Sequence, residues 1–132
     1  MREIEFRGKG CQGGGWFYGK LWDKDIPALV RGYAFRRGCL DIDPKTVGQY
    51  TGLCDENGNK IFEGDILEVE SMEIDTLGQK LRCKVIFSES HAAFMVDKGS
   101  EESVLFPLWR ALIENNAVVI GNIHDNPQLL KS

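Results

Sequence analysis

A mainly β protein is what the sequence predicts: antiparallel hairpins, with one or two short helices near the C-terminus. Three observations lead there. Short runs of apolar and β-branched residues recur along the chain, and several alternate with polar residues. Glycine, asparagine and aspartate stand between these runs at turn-sized spacings. The best helix candidate is a single short segment, PLWRALIE at 107–114. With 132 residues, 42% apolar and 27% charged, the chain suits one folded domain or two small lobes.

The elements follow in order. EIEFR and WFYGKL are extended runs joined by the glycine-rich GKGCQGGG, which reads as a hairpin with a long loop. IPALVRGYAFRR mixes apolar and β-rich residues around Gly32, a candidate bulge. CLDID then runs into Asp43-Pro44, a turn-starting pair. In GQYTGLCDENGNKIFEGDILEVE, Gln49–Cys54 is extended and Asn57-Gly58 predicts a type I′ turn, with both central residues at positive φ. Lys60–Phe62 returns, Gly64 supplies a second reversal, and Ile66–Glu70 is a strand.

KLRCKVIF alternates, placing Leu81, Cys83, Val85 and Phe87 on one face of a half-buried strand. AAFMVD continues the meander and KGSEES is an exposed loop. The helix at 107–114 accepts proline in its first turn and turns Leu108, Leu112 and Trp109 inward. AVVIGNI is a last apolar strand, followed by a turn and one helical turn after Pro127. Trp16, Phe62, Phe87, Trp109 and Ile120 are the leading core candidates, and burial of each large side chain contributes about 1.5–3 kcal/mol.

Several patterns that resemble chemistry have a simpler structural reading. Gly8, Gly10 and Gly13 fit the dinucleotide pattern GxGxxG, but phosphate binding needs a helix N-terminus next, and GGWFY is poor helix material. An EF-hand with Gly58 at its sixth position would put Leu53 where the first carboxylate belongs. The acid pairs Asp23/Asp25, Asp41/Asp43 and Glu63/Asp65 border proline, glycine or turn residues, where acids bond to local backbone. His91 and His124 fall in loops without a catalytic signature around them. Cys11, Cys39, Cys54 and Cys83 form no CxxC pair and read as reduced structural thiols. No catalytic residue, metal ligand or cofactor is assigned.

MREIEFRGKG lacks the apolar stretch of a signal peptide, and no apolar run approaches the ~20 residues that span a bilayer. The expectation is a cytoplasmic protein without membrane contact. Net charge is −4, divided as +3 over residues 1–50 and −7 over 51–132. Such opposed halves suit a protein partner or a homo-oligomer. A different reading uses Tyr33, Arg36 and Arg37, an aromatic and basic group suited to stacking on bases and contacting phosphates of nucleic acid.

EIEFRGK, GGGWFYG, DPKTVGQYTGLCDENGNKIFEGDILEV and VIGNIHDNPQLL occur in the order found in the YopX family of small bacteriophage and prophage proteins, and the chain resembles that family. The segments cover about half the chain; 20–42 and 71–104 match less clearly. The resemblance implies a phage or prophage origin, a bacterial cytoplasmic location and a mainly β fold, and brings no catalytic residue set. Gly52, Gly58, Gly64 and Gly121 are expected at turns, bulges or close approaches, with Tyr50, Ile61, Phe62, Ile66 and Val69 on the packed face. GDILEV also resembles the strand entry of SH3-like barrels, a fold-level analogy. The expected organisation is a hairpin lobe over 1–44 and a small SH3-like barrel lobe over 45–132, or one continuous domain. The expected function is that of a non-enzymatic accessory protein acting through protein–protein interaction, with nucleic-acid binding through Tyr33–Arg37 as the alternative.

Overall fold

A computed structural model describes residues 4–10, 15–23, 28–30, 40–71, 75, 77–97 and 105–130, with 21–23, 28–30 and 40–41 described by backbone alone. The chain is mainly β and packs as two units, Met1–Gly52 and Leu53–Ser132.

In the first unit, β1 (Phe6–Lys9) and β2 (Trp16–Gly19) pair antiparallel, with Arg7 opposite Tyr18 and Lys9 opposite Trp16. Strand β2 follows the glycine-rich stretch where a nucleotide site would need a helix. β3 (Leu21–Asp23), β4 (Ala28–Val30) and β5 (Leu40–Asp41) form a three-stranded antiparallel sheet. Asp43 then caps a 3₁₀ turn at Pro44–Thr46, its Oδ1 accepting the Lys45 N–H at 3.0 Å. Thr46 Oγ1 accepts the Lys9 N–H at 2.8 Å, tying that turn to the first hairpin. Gly8 allows this approach: a Cβ there would stand 2.4 Å from Ile42 Cγ2. The first residues of β6 (Gly48–Cys54) pair with β1, Gln49 opposite Phe6.

In the second unit, the end of β6 turns back into β7 (Lys60–Phe62). β8 (Asp65–Glu70), β9 (Lys80–Ser88), β10 (Ala93–Asp97), β11 (Leu105–Pro107) and β12 (Val118–Asn122) form an antiparallel sheet in the order β11-β10-β9-β8-β12. Among the described residues β11 and β12 are its two edges, so these pairings do not close a barrel. Helix α1 (Leu108–Glu114) begins after Pro107, whose φ of −60° and extended ψ of 137° make it a natural residue before the first turn. It lays Leu108 and Ala111 on Leu67, Cys83, Val85 and Val96, all fully or almost fully buried. A 3₁₀ turn at Pro127–Leu130 ends the described chain, and Arg82 reaches its Leu129 carbonyl at 3.3 Å.

The packed face expected around the middle of the chain is present: Tyr50, Ile61, Phe62, Ile66 and Val69 are buried. Of the large core candidates, Phe62 is buried and Trp16 and Ile120 are half-buried. Phe87 and Trp109 are 45% and 56% exposed, against the sequence-based expectation. The reasons are geometric. Successive helical residues point about 100° apart, so turning Leu108 and Ala111 inward sends Trp109 outward. Phe87 shares the face of Cys83 and Val85 but stands near the strand end, where it meets Phe94 edge-on at 5.3 Å. Ile120 stands where the register between β12 and β8 shifts, between Val119 and Gly121.

Candidate functional site

The acid- and asparagine-rich middle of the chain is the first place to look for a site. Asp55 is buried, and its carboxylate accepts from the Asn57 N–H at 3.0 Å, the Asn59 N–H at 2.9 Å, the Asn59 amide at 3.2 Å and the Val119 N–H at 3.0 Å. Burial pushes this carboxyl up, but the hydrogen bonds from Val119, Asn59 and Asn57 outweigh it and hold it below the ordinary carboxylate value. The Val119 bond falls beside the register shift of β12, where the strand ladder is interrupted. Asp55 therefore joins the β6–β7 turn to the last strand.

The turn differs in type from the expectation. The Gly58 N–H bonds to the Asp55 carbonyl at 3.0 Å, and the Asp55 N–H to the Asn59 carbonyl at 3.0 Å. Gly58 has φ +83°, whereas the only described non-glycine residues at positive φ are Ala92 and Asn116. This is a type I turn closed by a left-handed glycine, not a type I′ turn with Asn57 at positive φ. The Asp55 side chain selects it by fixing the Asn57 and Asn59 N–H groups from inside.

Asp65 is 2% exposed, and its Oδ2 accepts the Phe62 N–H at 2.8 Å across the next reversal. Gly64, at φ +88°, makes that reversal; its N–H reaches the Val85 carbonyl and its carbonyl takes the Ile123 N–H. At the C-terminus, Asn122 Oδ1 accepts the His124 and Asp125 N–H groups at 3.0 and 2.9 Å. Gly121 gives that turn its room, since a Cβ would stand 2.6 Å from Asn126 Oδ1. In each turn the polar side chain is held by backbone donors. No group of three or more His, Cys, Asp or Glu suited to a metal ion occurs among the described residues.

Ser88, Ser90 and His91 make the nearest approach to a nucleophile and base. Ser88 Oγ lies 2.8 Å from His91 Nδ1, with Ser90 Oγ 3.3 Å from the same nitrogen. Both contacts are local to the turn between β9 and β10, where Ala92 takes φ +50°. A hydroxyl–imidazole contact at this spacing braces a tight turn and sits on an exposed corner.

Two surfaces remain. On the first hairpin, Lys9, Trp16 and Tyr18 share one face by register with the buried Arg7, with Arg7 Cζ 4.6 Å and Lys9 Nζ 5.8 Å from the Trp16 ring centre. On α1, Trp109 and Ile113 point outward, the latter 74% exposed, four residues apart on one side of the helix. Neither surface was singled out from sequence. The first depends on a cross-strand register, and the second on which side of α1 meets the sheet. Outward apolar residues at i and i+4, on a helix with Leu108 and Ala111 inside, were the available signal for the second. Tyr33, Arg36 and Arg37, the sequence-based nucleic-acid candidates, lie outside the described residues. No described helix is long and apolar enough to cross a membrane.

Comparison with known proteins adds two similarities. The family model described as YopX protein matches residues 5–131. The crystal structure of protein EF1440 from Enterococcus faecalis is similar over 97% of this chain and 98% of that one, at 23% identity and a TM-score of 0.57, a likeness of fold. None of the curated proteins compared matches.

Proposed function

The chain belongs to the YopX family, and from that premise we propose that it is a non-enzymatic accessory protein of phage or prophage origin that acts by binding protein. One observation carries this reading: the outward face of α1 presents Trp109 and Ile113 where a helix lying on a sheet ordinarily presents polar residues. The bonding of the acid-rich turns is in keeping with this reading, since the carboxylates of Asp55 and Asp65 are engaged by backbone N–H groups. Photo-cross-linking in bacterial cells tests the reading. A benzophenone side chain placed at position 113 is expected to give a discrete protein adduct, lost in Trp109→Ala, while the same probe at exposed Lys45 gives none. Equal or absent labelling from the two positions counts against it.

Nucleic-acid binding stays as a second reading because Lys9, Trp16 and Tyr18 share one hairpin face. Titration with single-stranded and duplex oligonucleotides separates the two. Phosphate contacts weaken steeply with salt, so absence of binding at low salt removes this reading.

A further inference from the structure

The exposed side of α1 is complementary to itself, and we propose that it docks onto the same side of a second copy of this chain, the two helices antiparallel about a two-fold axis. This rests on the reading of α1 as an interaction surface and names what covers it.

Trp109, Arg110, Ile113 and Glu114 are the exposed residues of α1. They form two adjacent rows. Trp109 and Ile113 make an apolar row, and Arg110 and Glu114 make a charged row in which Arg110 Nε donates to Glu114 Oε2 at 2.7 Å. The charges run against the helix itself. A helix favours acids at its N-terminus and bases at its C-terminus, yet α1 has no acid in its first turn and no base in its last. Arg110 lies toward the positive pole and Glu114 ends the helix at the negative one.

An antiparallel second helix reverses that mismatch. Glu114 of the second copy comes beside the first helix's N-terminal half and Arg110, and the converse holds at the other end. A two-fold interface sets residue i against j and j against i. Here it sets Trp109 against Ile113 twice and Arg110 against Glu114 twice. Trp and Arg are also the residue types that dominate binding energy at interfaces. Seven helical residues cover less than the ~1,200 Å² of a standard stable interface, so the association is concentration-dependent.

Sedimentation velocity on the full chain, over a wide loading series, tests this. Wild type is expected to show a reversible monomer–dimer equilibrium, with Ile113→Asp weakening it at least about tenfold. Arg110→Glu and Glu114→Arg each set like charges opposite one another and weaken self-association by a similar factor, about tenfold. An equimolar mixture of these two variants recovers dimer, because each cross-pair is then attractive; the intrahelical Arg110–Glu114 contact cannot produce that rescue. Circular dichroism checks that these surface variants are folded. The inference is overturned by a wild type that stays monomeric throughout, by a dimer indifferent to Ile113→Asp, or by a mixture with no more dimer than its components. If the chain is monomeric while the probe at position 113 captures another protein, the occupant is wrong and the interaction reading stands. With neither dimer nor adduct, both fail.

Discussion

Replacing Asp55 with alanine removes an acceptor used by three backbone N–H groups and one side-chain amide. Hydrogen bonds to a charged group contribute about 1.5–3 kcal/mol each, but they are not additive. Asn57 and Asn59 are exposed, so water can take over their N–H groups. Val119 is half-buried beside an interrupted ladder, and its N–H loses more. One bond lost in full and the others in part gives a destabilisation of about 2–4 kcal/mol. Urea unfolding of wild type and Asp55→Ala, followed by far-UV circular dichroism, measures it as a lower midpoint with unchanged slope. The pH dependence has a definite sign. The folded carboxyl lies below its ordinary 3.8, so its stabilisation is complete above that value and is lost as pH falls through the lower folded value. The gap between wild type and variant should therefore hold steady near neutral pH and narrow in acid. A variant within about 0.5 kcal/mol of wild type, the range of ordinary surface substitutions, would refute the structural role assigned to Asp55.

The remaining predictions concern packing and backbone. Gly64→Ala meets no atom closer than 3.7 Å, so its expected cost of about 1–2 kcal/mol is backbone strain at φ +88°, measurable as a shift in the thermal midpoint. Gly121→Ala instead drives a Cβ into Asn126 and Leu129, and faster amide exchange at residues 124–129 should report the displaced turn. Leu108→Ala should destabilise by about 2–5 kcal/mol, whereas Ile113→Ser, on the outer side of the same helix, should stay within about 0.5 kcal/mol in chemical unfolding at low concentration.

The parts of this fold that local chemistry dictates were legible in the sequence. Gly58 and Gly64 announce reversals, and both take positive φ. Lys80–Ser88 alternates, with Cys83 and Val85 inside and Arg82 outside. Asp43-Pro44 starts a capped turn. What stayed illegible depends on distant partners. Asn-Gly favours a I′ turn on its own, but the Asp55 carboxylate, anchored to Val119 64 residues away, imposes a different one. Aromatic size suggests burial for Phe87 and Trp109, yet Phe87 stands near the end of its strand and Trp109 lies on the side of α1 away from Leu108 and Ala111. The same limit hid the α1 surface: a helix's outer side is defined only once its inner side is known. The hairpin face of Arg7, Lys9 and Trp16 likewise needs the register of two strands separated by a glycine-rich stretch.

Divalent-cation titration of the uniformly ¹⁵N-labelled chain tests most directly whether the acid-rich turns are scaffold. With calcium, magnesium and zinc added in turn, the amides of Asn57, Asn59, Phe62 and Val119 should hold their positions, because the carboxylates they face are already engaged. Selective, saturable shifts of those four amides would mean that Asp55 and Asp65 grip an ion, and would contradict the account.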